Sequence, residues 1–178
     1  MKDLETERLL LHPLDPAEAE RLLTAGQDGD PGRAAHWSPG YPTDGDLVAA
    51  RKFLRACDED IPGESPGGDP RPYGPYRPYE VRLRDGGRAI GGVGFHGPPD
   101  EAGSVTIGYS LIPAERGRGY ATEALRGLLA HARESGVRRV EGDAGHDNAA
   151  SQRVMRAAGM ERIGEDEEVA YYATRWEV

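Results

Sequence analysis

The segment Arg116-Gly117-Arg118-Gly119-Tyr120-Ala121-Thr122 gathers the residue types that hold an anion. A strand pattern runs into it, with Val105, Ile107, Tyr109 and Leu111 alternating over 104 to 111. A helix pattern runs out of it, with Ala121, Ala124, Leu125, Leu128, Leu129 and Ala132 at helical spacing and Gly136 placed as a stop. The glycines therefore fall at a helix N-terminus, where unpaired N–H groups and the positive end of the helix dipole converge. Glycine lets the backbone approach phosphate oxygens, Arg116 and Arg118 add charge, and Thr122 adds a hydroxyl. A pyrophosphate is the expected ligand, and an arginine-rich surface turn is the plainer alternative.

His96 ends the apolar run 88–95, and its ordinary pKa near 6.5 suits taking up a proton at neutral pH. It also reads as a surface or hydrogen-bonded structural histidine. His146 and Asp147 lack partners at a metal-binding spacing, and a helix cap by Asp147 or Asn148 accounts for that segment, so no metal is expected. Tyr73, Tyr76 and Tyr79 belong to or border a Pro- and Gly-rich stretch, 61–78, and either line an acceptor pocket or pack a loop. Gly92-Val93-Gly94-Phe95-His96-Gly97 spells a dinucleotide fingerprint, but Pro98-Pro99 follows and no helix opens there. Neither glycine loop continues into the Gly-Lys-Ser/Thr of a nucleoside-triphosphate loop.

The remaining elements must position these groups. Residues 8–12 read as a strand, and Asp15, Pro16 and Glu18 as the start of a helix. Thr43 to Asp46 opens a second helix with Leu47, Ala50, Phe53 and Leu54 on one face. Runs 79–84 and 88–95 flank Asp85-Gly86-Gly87 as a hairpin. A strand is expected at 139–143, a helix at 148–158 stopped by Gly159, and a closing strand at 168–176. The order indicates one domain, 1–178, with a mixed sheet and helices on its faces, without the repeated βαβ of a doubly wound fold.

With these motifs in place, the chain resembles the GNAT acetyltransferase family. The family's Arg/Gln-x-x-Gly-x-Gly/Ala motif is matched by Arg116, Gly119 and Ala121. Ile107-Gly108-Tyr109, Ala121-Thr122-Glu123-Ala124-Leu125, and Asn148-x-x-Ser151 leading to Gly159 are similar to the branch that includes ribosomal-protein N-terminal acetyltransferases. The resemblance spans residues 4 to 164. It implies an α/β fold with a mixed, largely antiparallel central sheet of about six or seven strands, helices on both faces, and a V-shaped opening between strands 104–111 and 139–143.

The co-substrate implied is acetyl-CoA, held by Leu111, Ile112, Arg116, Gly117, Arg118, Gly119, Tyr120, Ala121, Thr122, Asn148 and Ser151. For Asn148 and Ser151 the alternative is a helix cap and a surface serine. The reaction implied is N-acetyl transfer by direct attack of an amine in a ternary complex, with the Ile112 backbone N–H steadying the oxyanion. Relatives often carry a glutamate where Thr106 stands, and a tyrosine where Met155 stands. His96 is therefore the first candidate for the base, followed by Glu80, Glu141 and water, and Ser151 or water substitutes for the acid. These departures also keep open a catalytically weak sensor module that binds acyl-CoA.

The chain has 178 residues, Gly 25 and Pro 14, which suits one turn-rich domain. A single cysteine, Cys57, and no basic-then-apolar leader or long apolar run lead to the expectation of a cytoplasmic protein without membrane partners. A formal charge of -9 disfavours nucleic acid. Residues 116–162 hold nine arginines against six acids, while the remainder is net -12. The first region suits an anionic co-substrate, and the rest suits a cationic small-molecule or peptide amine. Monomer and homodimer both remain open.

Overall fold

A computed structural model describes residues 1–25, 30–58 and 74–176. Most of the proline-rich stretch, Tyr73 included, lies outside the described residues. The elements are β1 (Leu4–Glu5), β2 (Leu9–Pro13), α1 (Pro16–Thr24), α2 (Asp44–Asp58), β3 (Pro78–Leu83), β4 (Ala89–Phe95), β5 (Ser104–Leu111), α3 (Tyr120–Glu134), β6 (Arg139–Gly145), α4 (Ala149–Ala157), β7 (Glu161–Glu165) and β8 (Val169–Ala173). They build one eight-stranded sheet in the order β1-β2-β3-β4-β5-β6-β8-β7, in which only β5 and β6 run parallel. The count exceeds the expected six or seven because of two-residue β1 and edge strand β7, which is exposed along its whole length and carries no alternating pattern.

Local chemistry explains the element starts. Asp15 accepts from the Glu18 N–H and Glu18 returns to the Asp15 N–H, a capping box with Pro16 in the first turn, of a kind that stabilises by about 1 kcal/mol. Gly86 and Gly87 turn the β3–β4 hairpin at φ +78° and +66°.

Ladder register then sorts side chains between the two faces. Leu11, Val81, Gly91 and Leu111 form one row across β2–β5, and Gly127 of α3 lies against Leu11. The adjacent row, His12, Glu80, Gly92 and Ser110, points to the other face, where Asp46 of α2 bonds Ser110. α3 thus closes one face over a core including Leu9, Leu125 and Leu128, and α2 lies across the other.

β5 and β6 pair only at 104–106 with 139–141. Past Thr106, β5 stays with β4 through Leu111, whereas β6 continues with β8 through Gly145. Ile107 and Met155 fill the space beside Gly142 at the point of divergence. A gap opens there between two strands that each keep their outer partner.

Candidate active site

At one end of the gap lies the N-terminus of α3. Gly117 and Gly119 adopt φ +76° and +81°, and Gly119 caps the helix with no side-chain hydrogen bond of any kind. The first-turn N–H groups are therefore open to a ligand. Arg116 follows the short turn Pro113–Glu115, and its Nε donates to the Leu111 carbonyl at 3.1 Å. Arg118 pairs with Glu115 at 3.5 Å.

Arg8, which the sequence patterns did not single out, braces this loop from the residue before β2. Its Nε meets Glu123 Oε2 at 2.7 Å, its Nη1 donates to the Arg118 carbonyl at 3.0 Å, and its guanidinium lies 4.6 Å from the Tyr120 ring centre. Burial acts to raise the pKa of Glu123, but hydrogen bonds from Thr6 and Arg8 outweigh it and hold the carboxyl below its ordinary value. An open, arginine-flanked helix terminus without obstructing side chains fits a pyrophosphate.

The gap itself corrects one expectation. The Ile112 N–H donates to the Ile90 carbonyl at 2.9 Å, so it is committed to β4 and cannot serve an oxyanion. Alternation along an antiparallel ladder turns the N–H groups of Tyr109 and Leu111 the other way, into the gap. The Leu111 carbonyl accepts from Arg116.

On the α4 side Asn148 caps the helix by accepting from the Ser151 N–H at 3.0 Å. Ser151 is half-buried, and its hydroxyl lies 2.7 Å from the Tyr109 hydroxyl, which also donates to the Ser151 carbonyl at 3.0 Å. Burial raises the Tyr109 pKa, opposed by the Ser151 hydrogen bond. Met155 is fully buried. Tyr109 thus presents a hydroxyl against α4, the helix that carries Met155.

On the α2 face a pocket of about 380 Å³ abuts the same strand, lined by Tyr41, Asp46, Val48, Gly94, His96 and Ser110 among others. Its floor is glycine. A Cβ on Gly92 would stand 2.2 Å from Asp46 Oδ1, one on Gly94 would stand 2.6 Å from Pro78 Cα, and one on Gly108 would stand 2.8 Å from His96 Nε2. The segment that spells a false dinucleotide fingerprint therefore serves to let α2 and His96 settle onto the sheet.

His96 donates its N–H to Thr106 and touches solvent. Desolvation and then Lys52 push its pKa below the ordinary value, against Asp143. Asp46 is buried, and desolvation drives its carboxyl up to about 6 in spite of hydrogen bonds from Thr43 and Ser110. Because Gly108 and Ser110 are two residues apart on β5, the places of His96 and Asp46 are about 7 Å apart.

Other candidates fall elsewhere. Glu80 is buried between His36, Trp37 and Arg82, at 2.8, 3.0 and 2.6 Å, and supports the fold. Glu141 pairs with Arg139 at 2.7 Å. Tyr79 is buried with its hydroxyl on the Pro75 carbonyl, and Tyr76 packs on Phe95. Cys57 is a half-buried residue of α2 whose thiol pKa burial raises. His146 Nε2 lies 2.8 Å from the Asp166 carbonyl. Among the described residues no group of three or more His, Cys, Asp or Glu could hold a metal, and no helix is long and apolar enough to cross a membrane.

Comparison with known proteins agrees with this architecture. An N-acetyltransferase of Bacillus subtilis, YjdG, itself uncharacterised, is 37% identical over 82 residues, 45% of this chain and 48% of that protein. The chain thus spans about half the length of the curated relatives it matches. Among solved structures, an acetyltransferase from Agrobacterium tumefaciens superposes with TM-score 0.64 at 22% identity, covering 99% of this chain and 95% of that one. RimL, a ribosomal-protein alpha-N-acetyltransferase solved in complex with coenzyme A, gives 0.63 at 19% identity over 97% of each chain. These structural likenesses show the fold. The family model described as an acetyltransferase (GNAT) domain matches residues 8–161, which takes in the α3 loop, the gap and the pocket together, and the chain accordingly belongs to the GNAT family.

Proposed function

We propose that this protein is an acetyl-CoA-dependent N-acetyltransferase acting by direct attack of an amine in a ternary complex. The observation that carries the reading is the gap between β5 and β6. It ends at the open N-terminus of α3 and runs past Tyr109 to the pocket that holds His96 and Asp46. The residues at one end suit a pyrophosphate and those at the other an amine, with one strand between them.

The α3 loop seats the diphosphate of acetyl-CoA, and the Leu111 N–H aligns the pantetheine arm along β5. Acetyl-CoA supplies the activated acyl group. His96, neutral near pH 7, accepts the proton the attacking nitrogen loses as the N–C bond forms. The N–H of Tyr109 faces the carbonyl oxygen as it gains charge. Tyr109 gives its phenolic proton to sulfur as the C–S bond breaks, and the Ser151 hydroxyl donates back to the phenolate oxygen. The products are the amide and free coenzyme A. A sensor module that binds without turnover would need neither the Tyr109 pairing nor a carboxylate-bearing pocket.

Thiol release from acetyl-CoA over an amine panel, with the product identified by mass, tests the reading. An acetylated amine accompanied by stoichiometric thiol is expected. Tight acetyl-CoA binding without acetylation of any amine would favour the sensor.

A further inference from the structure

We infer that the pocket beneath α2 takes a small primary amine carried on an apolar body, which enters as the ammonium, is received by the Asp46 carboxylate and leaves one proton there, so that the nitrogen that attacks is neutral. The inference rests on the acetyl-transfer reading for the fate of that amine, and on the pocket alone for its chemical class.

Asp46 is 6% exposed. Its Oδ2 accepts from both the backbone and the hydroxyl of Thr43, at 2.8 and 2.7 Å, so that oxygen is spent on the start of α2. Among the described residues its Oδ1 accepts from Ser110 Oγ, at 3.0 Å, and it packs onto Gly92 in the place of a Cβ. An ionised carboxylate oxygen has room for a second donor, and Asp46 is among the residues that line the pocket. A buried carboxylate without a cation beside it is unfavourable, and an ammonium group brought in by a ligand relieves that cost.

The rest of the pocket limits what the ammonium can be attached to. Leu14, Leu22, Tyr41, Val48 and Ala49 line it with hydrocarbon, and the Tyr41 hydroxyl is engaged by Glu80. Lys52 also lines it and stands near enough to His96, the other basic side chain of the lining, to depress the His96 pKa. Asp44 is exposed and meets solvent. In the buried part of the pocket, away from Asp44, a second or third ammonium would lie against hydrocarbon or against Lys52, and neither compensates a desolvated charge. About 380 Å³ is near the lower end of the roughly 300–1,000 Å³ typical of small-molecule pockets. A polyamine or an aminoglycoside fits this chemistry poorly.

Calorimetric titration in the presence of coenzyme A tests the class directly, with 2-phenylethylamine and isopentylamine against spermidine, kanamycin and the uncharged isopentanol. The two monoamines should bind at least about tenfold more tightly than the other three, and Asp46→Asn should weaken them about 10- to 100-fold, the worth of one charge-assisted hydrogen bond. Acetyl-CoA affinity should stay within about twofold, since Asp46 lies outside the α3 loop. Preference for spermidine or kanamycin, equal binding of isopentanol, or unchanged amine affinity in Asp46→Asn would overturn the inference. If that variant does not fold, the wild-type ranking of amine against alcohol decides it. Failure of the acetyl-transfer reading looks different: the monoamines bind in the expected order and are not acetylated.

Discussion

Tyr109→Phe removes one hydroxyl and leaves the ring in place, so its effects on stability and on chemistry can be separated. The hydroxyl makes two contacts to Ser151, at 2.7 and 3.0 Å. At about 0.5–1.5 kcal/mol net for each, the fold should lose roughly 1–3 kcal/mol. That is about 2–12 °C in Tm for a chain of this size. The expected catalytic loss is larger. A general acid contributes typically about 10²- to 10⁴-fold, or roughly 3–5 kcal/mol of barrier. Because burial raises the Tyr109 pKa, the phenol remains protonated through neutral and mildly alkaline pH, and no alkaline limb is expected there. Thiol release at saturating acetyl-CoA and amine, run in H2O and D2O, reads the step. kcat should fall about 10²-fold or more with acetyl-CoA affinity nearly intact, and the solvent isotope effect should shrink. A kcat within about threefold of wild type, or an unaltered isotope effect, would refute the assignment.

His96→Ala should lower kcat by about 10²- to 10⁴-fold. Since desolvation and Lys52 hold the His96 pKa below its ordinary value, wild-type activity should fall only on the acid side of about pH 6.5, and the variant should lack that limb in a profile from pH 5.5 to 8. Asp46 should trade stability for function. A carboxyl raised from 3.8 to about 6 contributes stability fully present below pH 4 and lost as pH rises through 6. Asp46→Asn should therefore stabilise the fold by up to about 3 kcal/mol at pH 8, an advantage that vanishes toward pH 4 in urea melts while amine binding is lost.

The strand, glycine turn and helix around α3 were legible because they are contiguous. Strand, Gly117, Gly119 and helix follow one another within 104–134, and the positive φ values are what those glycines are for. The acceptor end was not, because α2, β4 and β5 bring Asp46, Gly92 and Ser110 together from distant stretches. Thr43-x-x-Asp46 looks like a helix start, and it is one, but the second carboxylate oxygen does other work. The Ile112 N–H is taken because the β4 register, which turns it inward and the N–H groups of Tyr109 and Leu111 toward the gap, cannot be read from β5 alone. Edge strand β7 escaped because Glu161–Glu165 buries nothing and so leaves no periodic trace.

Whether acetyl-CoA seats on the α3 loop tests the account most directly, because the amine pocket has a chemical role only beside a thioester. Thermal melts of wild type and Gly119→Val with and without acetyl-CoA measure it. Binding at 100 times the dissociation constant adds about 2.7 kcal/mol, or roughly 5–11 °C in Tm for a chain of this size. Gly119 sits at φ +81°, where a side chain costs about 1–2 kcal/mol, and its Cβ would come 3.3 Å from Arg8 Nη2. A β-branched residue there should therefore lower the starting Tm slightly and remove the acetyl-CoA shift. A wild-type Tm that does not move at saturating acetyl-CoA, or a shift that Gly119→Val retains in full, would contradict the account.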